Sequence, residues 1–271
     1  MVRALWTSAS GMTSQQLQVD TISNNIANVN TTGYKKEMVS FKSLLYQQMG
    51  QPAVENIQAP SALQVGHGVR VGANTRVYGQ GTLQQTGNVT DLAIEGNGFF
   101  SIIDGEQVSY TRDGNFRFAS TSDESGYMLT TSDGKPVMSV DEEPIVIDSE
   151  IPVESIQIGS IGNLFYIDQE TGLEEELGQI QVVQFANTEG LEALGDNEYR
   201  ETAASGPARI EGEDDTLTRS HIRSGNLEGS NVNIADEMVN LIVAQRAYEM
   251  NSTVIKTVDT MLQQANELKR S

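Results

Sequence analysis

The sequence predicts an α+β protein: long N- and C-terminal helices pairing in a coiled-coil-like layer, with a central antiparallel β-rich region between them. Three observations carry this. Residues 1–29 place apolar side chains at heptad-like spacing, with Met1, Leu5, Met12, Val19, Ile22, Ile26 and Val29. Residues 234–268 repeat the pattern with Ile234, Met238, Leu241, Tyr248, Ile255 and Leu262, and Val243, Val254, Val258 and Met261 broaden the stripe. Between them, roughly 70–215 reads as short alternating runs cut by tight turns.

The first helix is expected over about 3–28. Ser8 and Gln15 fall on its heptad positions; polar seam residues weaken a coiled coil but help to set its register. Such a helix needs neighbours, because tertiary contacts supply most helical stability. Asn28-Val29-Asn30-Thr31-Thr32-Gly33 ends it, since Asn and Gly tolerate positive φ. Tyr34-Lys35-Lys36-Glu37 and a mixed stretch over 38–49 follow. Residues 50–68 are rich in Gly, Pro, Gln and Ala, and Pro52 and Pro60 argue against a continuous helix, so an extended insertion is expected there.

Strand-like alternation starts at Val69-Arg70-Val71 and Thr75-Arg76-Val77-Tyr78. Leu92-Ala93-Ile94 and Phe99–Ile103 are separated by Gly96, Asn97 and Gly98. Asp104-Gly105 then joins Phe99–Ile103 to Val108–Thr111, a hairpin signal. Asp113-Gly114 precedes Phe116-Arg117-Phe118, and Asp133-Gly134 lies between Tyr127–Thr131 and Pro136–Val140. Further strands are expected at 155–158, 164–167 and 180–186, and a loop-rich segment over 187–233. Asn233 suits the N-cap of the last helix, with Asp236 and Glu237 in its first turn and Lys269 and Arg270 at its end, as the helix dipole favours.

The net charge of −20 is unevenly spread. Residues 141–215 hold 20 acidic and 2 basic side chains, while the rest of the chain holds 17 and 15. Near-neutral ends can pack on copies of themselves with little repulsion. Nucleic-acid binding, which needs clustered Lys and Arg, is disfavoured. With no cysteine there is no disulfide, zinc-thiolate site or thiol nucleophile. No apolar run resembles a cleavable signal peptide or reaches the ~18 residues of a membrane span, so no membrane insertion is expected.

No catalytic constellation emerges. The two histidines, His67 and His221, lack neighbouring ligand or triad patterns. Glu174-Glu175-Glu176 and Glu211-Gly212-Glu213-Asp214-Asp215 read as solvated loops. Asp168-Gln169-Glu170-Thr171-Gly172 has part of a calcium loop but lacks its closing Glu. Gly66-His67-Gly68-Val69-Arg70-Val71-Gly72 looks like a nucleotide-binding pattern by letters alone, but strand-like sequence follows where a helix is required. No cofactor, metal or catalytic residue is expected. Whether the two helices pack against each other within one subunit or between subunits stays open at this level.

Residues 24–35, Asn-Asn-Ile-Ala-Asn-Val-Asn-Thr-Thr-Gly-Tyr-Lys, resemble the N-terminal signature of bacterial flagellar axial proteins, the rod and hook family. Residues 230–251, Ser-Asn-Val-Asn-Ile-Ala-Asp-Glu-Met-Val-Asn-Leu-Ile-Val-Ala-Gln-Arg-Ala-Tyr-Glu-Met-Asn, resemble its C-terminal signature. Gln80-Gly81, Asp91–Phe100 and Tyr110–Phe116 resemble its shared central domain. The likeness spans nearly the whole chain and is nearest to the distal-rod branch; a related proximal-rod or hook-type subunit is the alternative. Further off stands a secreted acidic carbohydrate-active enzyme.

The resemblance implies a structural subunit of a hollow helical shaft that transmits torque from motor to hook. It implies a homopolymer in contact with proximal rod and hook proteins, with ring bushing proteins where present, and with the flagellar export apparatus, and export without a cleaved signal. It implies a helical core of 1–33 with 233–271, an intermediate segment of 34–69 with 205–232 that includes a rod-specific extension at about 46–65, and an outer β-rich domain of 70–204. Helix stripes and signatures together single out an assembly interface: Leu5, Met12, Val19, Ile22, Asn25, Ile26, Asn28, Asn30, Gly33 and Tyr34 at the start. At the end they single out Asn231, Asn233, Ile234, Met238, Leu241, Gln245, Arg246, Tyr248, Asn251, Ile255 and Leu262.

Overall fold

A computed structural model describes residues 2–48, 64–105, 107–121, 126–149, 151–167, 174–212 and 216–270. The chain forms two compact units. One comprises Met1–Ala27, Glu37–Arg76 and Asn233–Ser271, and the other Asn28–Lys36 and Val77–Val232.

In the first unit, helix α1 spans Val2–Ala27 and helix α2 spans Ile234–Arg270. α1 is rich in Ser and Thr, which disfavour helix interiors when their hydroxyls compete for backbone. Here the hydroxyls of Thr7, Thr13, Thr21 and Ser23 donate back to the carbonyls of Arg3, Ala9, Leu17 and Val19, so the competition is resolved inside the helix. α2 begins as expected: the Asn233 side-chain oxygen accepts from the Ala235 N–H at 3.1 Å, with Asp236 and Glu237 in the first turn. An antiparallel ribbon pairs Glu37–Ser43 with Val69–Arg76, bulged between Ser40 and Phe41. A shorter ribbon pairs Tyr46–Gln48 with Gln64–Gly66. The rest of the expected extension at 46–65 lies outside the described residues.

In the second unit, a six-stranded antiparallel sheet runs in the order Glu192–Gly195, Glu198–Arg200, Gln107–Thr111, Phe99–Asp104, Val182–Gln184 and Arg209–Ile210. Successive residues alternate faces in a strand. Phe100, Ile102 and Val182 therefore enter one hydrophobic core with Leu92, Leu129 and Ile147, while Phe99 and Val183 enter another with Tyr110 and Tyr199. The second core is aromatic, and Phe99 meets Tyr78, Phe185 and Tyr199 edge-on at 5.7–5.8 Å. Two three-stranded sheets add Arg117–Ser120, Gly126–Thr130 and Val146–Asp148, then Ile156–Ile158, Asn163–Ile167 and Glu174–Gln179. Ribbons pair Leu92–Glu95 with His221–Ser224 and Leu83–Gln85 with Asn226–Glu228.

The Asp-Gly turns behave in two ways. Asp104 pairs with Gln107 across a tight hairpin in which Gly105 takes φ 64°. At Asp133-Gly134 the Thr131 N–H bonds the Lys135 carbonyl at 2.8 Å, closing a second reversal. Asp113-Gly114 instead carries the chain from one sheet to another. A side chain on Gly114 would strike the Leu92 carbonyl, so the glycine there is a matter of space.

Two acidic stretches differ from expectation. Glu174–Gln179 is an edge strand on Asn163–Ile167 and not a loop; exposed Glu175 and Glu176 on an edge oppose pairing with other chains. Glu211 is buried. Its carboxylate accepts from the Ser220 N–H and Oγ, both at 2.7 Å, and from Gln184 Nε2 at 2.8 Å. Three good donors offset the loss of water that burying a charge entails. Residues 213–215, and the partial calcium-loop pattern at 168–172, lie outside the described residues. The segment 187–233, expected to be loop-rich, carries short strands of two to four residues between its loops.

Candidate assembly interface

On α2 the covered positions recur on one face: Leu241, Asn251, Ile255 and Leu262 are half-buried, and Ala244 and Val258 are buried. Asn251 lies over Gly11 of α1, where an added Cβ would come within 2.9 Å of its side-chain nitrogen. This face is thus turned to α1, and Gly11 sets the closeness of approach. On α1, Ile22 is buried, and Leu5, Met12, Val19 and Ile26 are half-buried. Of the remaining α2 positions singled out by sequence, Ile234, Met238, Gln245, Arg246 and Tyr248 are exposed in the single chain. Arg246 reaches Glu249 at 3.4 Å on the open surface, a pair of little energetic worth.

Asn25 is buried within the subunit. Its side-chain oxygen accepts from the Glu37 N–H at 2.9 Å, and its nitrogen donates to the Glu37 carbonyl at 2.8 Å. The amide thereby imitates a neighbouring strand at the first residue of the ribbon. The same nitrogen lies 3.4 Å from the buried Glu237 carboxylate in the first turn of α2. One side chain therefore ties α1, the ribbon and α2. Ala244, Glu237 and Gly11 belong to this contact although periodicity did not single them out; alanine and glycine are invisible to an apolar stripe, yet close helix packing selects them.

Within the second unit the signature residues build a different feature. Gly33, at φ 67°, donates its N–H to the Glu228 carbonyl at 2.8 Å and lies against the backbone of Arg112 and Asp113. Tyr34 is buried, and its carbonyl accepts from Asn231 N–H at 3.4 Å. Asn231 accepts from Lys36 N–H at 2.8 Å and donates to the carbonyls of Val77 at 2.7 Å and Gly79 at 3.0 Å. Asn28 accepts from the Thr31 hydroxyl at 3.1 Å; Asn30 and Asn233 are exposed.

The centre of this region is ionic. Lys35 Nζ lies 2.6 Å from Glu228 Oε1, and Arg112 Nη1 lies 3.3 Å from Glu228 Oε2, with all three side chains at most 1% exposed. Lys35 also donates to the Gly79 carbonyl at 2.9 Å, Arg112 to the Gly96 carbonyl at 2.8 Å, and the Gly81 N–H donates to Glu228 at 2.8 Å. The Arg112 guanidinium stacks over the Phe99 ring at 4.9 Å. Burial pulls the pKa of Lys35 and of Arg112 below their ordinary values, against the opposing pull of Glu228. Composition did not reveal this cluster, since single Lys, Arg and Glu residues read as surface.

Chemistry is sparse elsewhere. Among the described residues no group of three or more His, Asp or Glu is placed to hold a metal ion. His67 donates through Nδ1 to the Leu45 carbonyl at 3.1 Å, and His221 is exposed on a strand.

Comparison with known proteins decides the family. The family described as "Flagella basal body rod protein" matches residues 5–35, and "Flagellar basal body rod FlgEFG protein C-terminal" matches 223–268. The "Flagellar hook protein FlgE/F/G D1 domain" matches 93–166. Flagellar basal-body rod protein FlgG of Borreliella burgdorferi is 47% identical over 276 residues, covering 100% of both chains. The chain belongs to the flagellar basal-body rod protein family. Rod proteins named FlgG from Bacillus subtilis and Caulobacter vibrioides are 39% and 40% identical, covering 99–100% of this chain and 100% of theirs. The rod-family matches at the two ends contain most of α1, Gly33 and Tyr34 on one side and Glu228, Asn231 and most of α2 on the other. As a member of the rod family the chain is a structural flagellar protein and not an enzyme, so the carbohydrate-active reading is set aside.

Proposed function

We propose that this chain is a distal-rod subunit that polymerises into a hollow helical shaft and carries torque from motor to hook. The observation that carries the reading is the surface of the single chain: Trp6, Met238, Val239, Ile242, Val243 and Met250 stand more than half exposed on its two long helices. Burying each such side chain is worth about 1.5–3 kcal/mol, and further molecules of the chain would supply that cover. The near-neutral charge of the two ends suits such contacts.

The interface positions singled out by sequence divide accordingly. Ile234, Met238, Gln245, Arg246 and Tyr248 are available to neighbouring molecules, whereas Asn25, Ile22, Gly33 and Tyr34 shape the subunit that presents them. In the polymer, 1–33 with 233–271 form the inner helical layer in coiled-coil fashion, 34–69 with 205–232 the intermediate layer, and 70–204 the outer one. Proximal rod proteins lie at one end of the shaft and hook proteins at the other. Ring bushing proteins surround it where present, and the export apparatus delivers subunits without a cleaved signal.

The test is complementation of a strain lacking the chain. Met238→Glu and Val239→Glu are expected to abolish motility and to leave basal bodies whose rods stop short of the hook. Full-length rods with either variant would contradict the reading, and rods truncated at the motor-proximal end would move the chain to the proximal segment.

A further inference from the structure

One face of the six-stranded sheet gathers three buried polar side chains that have no partner among the described residues. Ser101 pairs with Tyr110 on one side and donates its N–H to the Gln181 carbonyl on the other at 3.4 Å, so the three stand next to one another across the sheet. Alternation along the strands turns them to the same face as Ile103, Val108 and Val183. Ser101, Tyr110 and Gln181 are 0%, 6% and 4% exposed. The Ser101 hydroxyl accepts and donates no hydrogen bond, and neither the Tyr110 hydroxyl nor the Gln181 amide finds one. Buried polar groups are nearly always paired, so three adjacent exceptions point to a partner from outside the chain. Tyr110 and Gln181 open on a cleft of about 410 Å³ whose walls include Ile103, Val108, Met138, Val183 and Ile210. Apolar walls with a few placed polar groups, in a hollow of roughly 300–1,000 Å³, are the make-up of a small-ligand site.

We propose that this cleft binds a small neutral ligand through a secondary amide flanked by an aliphatic group, the chemistry of an N-acetyl group. The Gln181 side chain presents a donor and an acceptor side by side, which a ligand amide meets with its own acceptor and donor. The Tyr110 hydroxyl, held protonated by burial, supplies a further donor for the ligand carbonyl. The aliphatic part lies against Ile103, Val183 and Ile210. Charge selects for neutrality. Among the described residues Glu142 is the only charged one that lines the cleft, so an anion meets repulsion and no counter-charge. Glu142 is itself exposed, and a solvated carboxylate holds a cation weakly. Amino sugars and acylated peptide ends both carry the required group. The cleft lies wholly within the β-rich unit, so the site stands apart from the reading of the helices as assembly surfaces.

Full-length chain with isotope-labelled isoleucine and valine methyl groups is titrated with N-acetylglucosamine and, separately, with N-acetylalanine methylamide; glucose, which lacks the amide, is the control. At least one of the two amides is expected to shift the methyl signals of Ile103, Val183 and Ile210 saturably, at about millimolar strength for a ligand of this size, and whichever does so names the source. Gln181→Leu replaces the unpartnered amide by an apolar side chain of similar size. It is expected to fold as well as the wild type and to bind about tenfold more weakly or not at all. Tyr110→Phe removes only the hydroxyl, is expected to weaken binding to a similar degree, and carries the test should Gln181→Leu fail to fold. Shifts with neither amide, equal shifts with glucose, or undiminished binding by the folded variants would overturn the inference and leave the rod-subunit reading in place.

Discussion

Lys35 and Glu228 stand 193 positions apart in the chain and 2.6 Å apart in space, with side chains 0% and 1% exposed. Arg112 closes the same carboxylate from the other side, so one buried anion holds two buried cations. Removing one partner of such a group leaves uncompensated charge where water cannot reach. Glu228→Gln is expected to cost about 3–5 kcal/mol, read as a lowered urea midpoint of the β-rich unit. A midpoint unchanged within error would show that the cluster is not what holds residues 33–36 to Glu228.

Asn25 offers both a donor and an acceptor to Glu37. Asn25→Ala leaves that backbone pair without its partner at a buried position, with an expected loss of about 1–3 kcal/mol. Asn25→Asp keeps the acceptor, loses the donor, and sets a second carboxylate beside Glu237. It is therefore expected to be the less stable of the two at neutral pH, and to regain ground on acidification as the new carboxyl takes up a proton. Thermal unfolding followed by helical circular dichroism compares them.

Gly33 and Gly134 separate backbone strain from crowding. Both have positive φ, 67° and 82°, but an added Cβ meets the Arg112–Asp113 backbone at 2.7–3.0 Å at Gly33 and nothing within 4 Å at Gly134. Gly134→Ala is expected to cost about 1–2 kcal/mol, the strain alone. Gly33→Ala must also displace backbone and should cost clearly more. Equal losses in urea unfolding would contradict the packing described around Arg112.

Tyr110 supplies a pH dependence. Burial, and secondarily the charge of Glu201, push its hydroxyl up to about 12 from 10.0. The unfolded chain thus releases this proton first, and between those values stability falls as pH rises. The loss is at most about 3 kcal/mol, since each tenfold difference in proton affinity between the folded and unfolded chain is worth about 1.4 kcal/mol. Tyr110→Phe is expected to flatten that part of the stability profile, and tyrosinate absorbance should lose a step near pH 12.

What the sequence made legible was local. Asp104-Gly105 and Asp133-Gly134 declare their turns because the residues that need positive φ sit inside them. Asn233 declares the start of α2 because capping acts within two residues. Glu228 declares nothing, since its partners come from positions 35, 81 and 112. His221–Ser224 is a four-residue strand whose partner is Leu92–Glu95, so no period could establish itself in sequence. The acidic runs misled for the same reason: Glu211 differs from its neighbours only through Ser220 and Gln184, contacts that composition does not encode. On α2 the apolar residues merge into one broad stripe until burial tells Leu241 and Ile255 apart from Val243 and Val254.

The central claim is that the exposed faces of α1 and α2 are completed by other copies of the chain. Amide hydrogen exchange of the full chain, dilute and then assembled into rods, tests it most directly. The backbone amides of both helices are expected to exchange readily in the dilute protein and to become strongly protected in rods, while those of Phe99–Asp104 stay protected in both. Equal, strong protection of α1 and α2 in the dilute chain would contradict it.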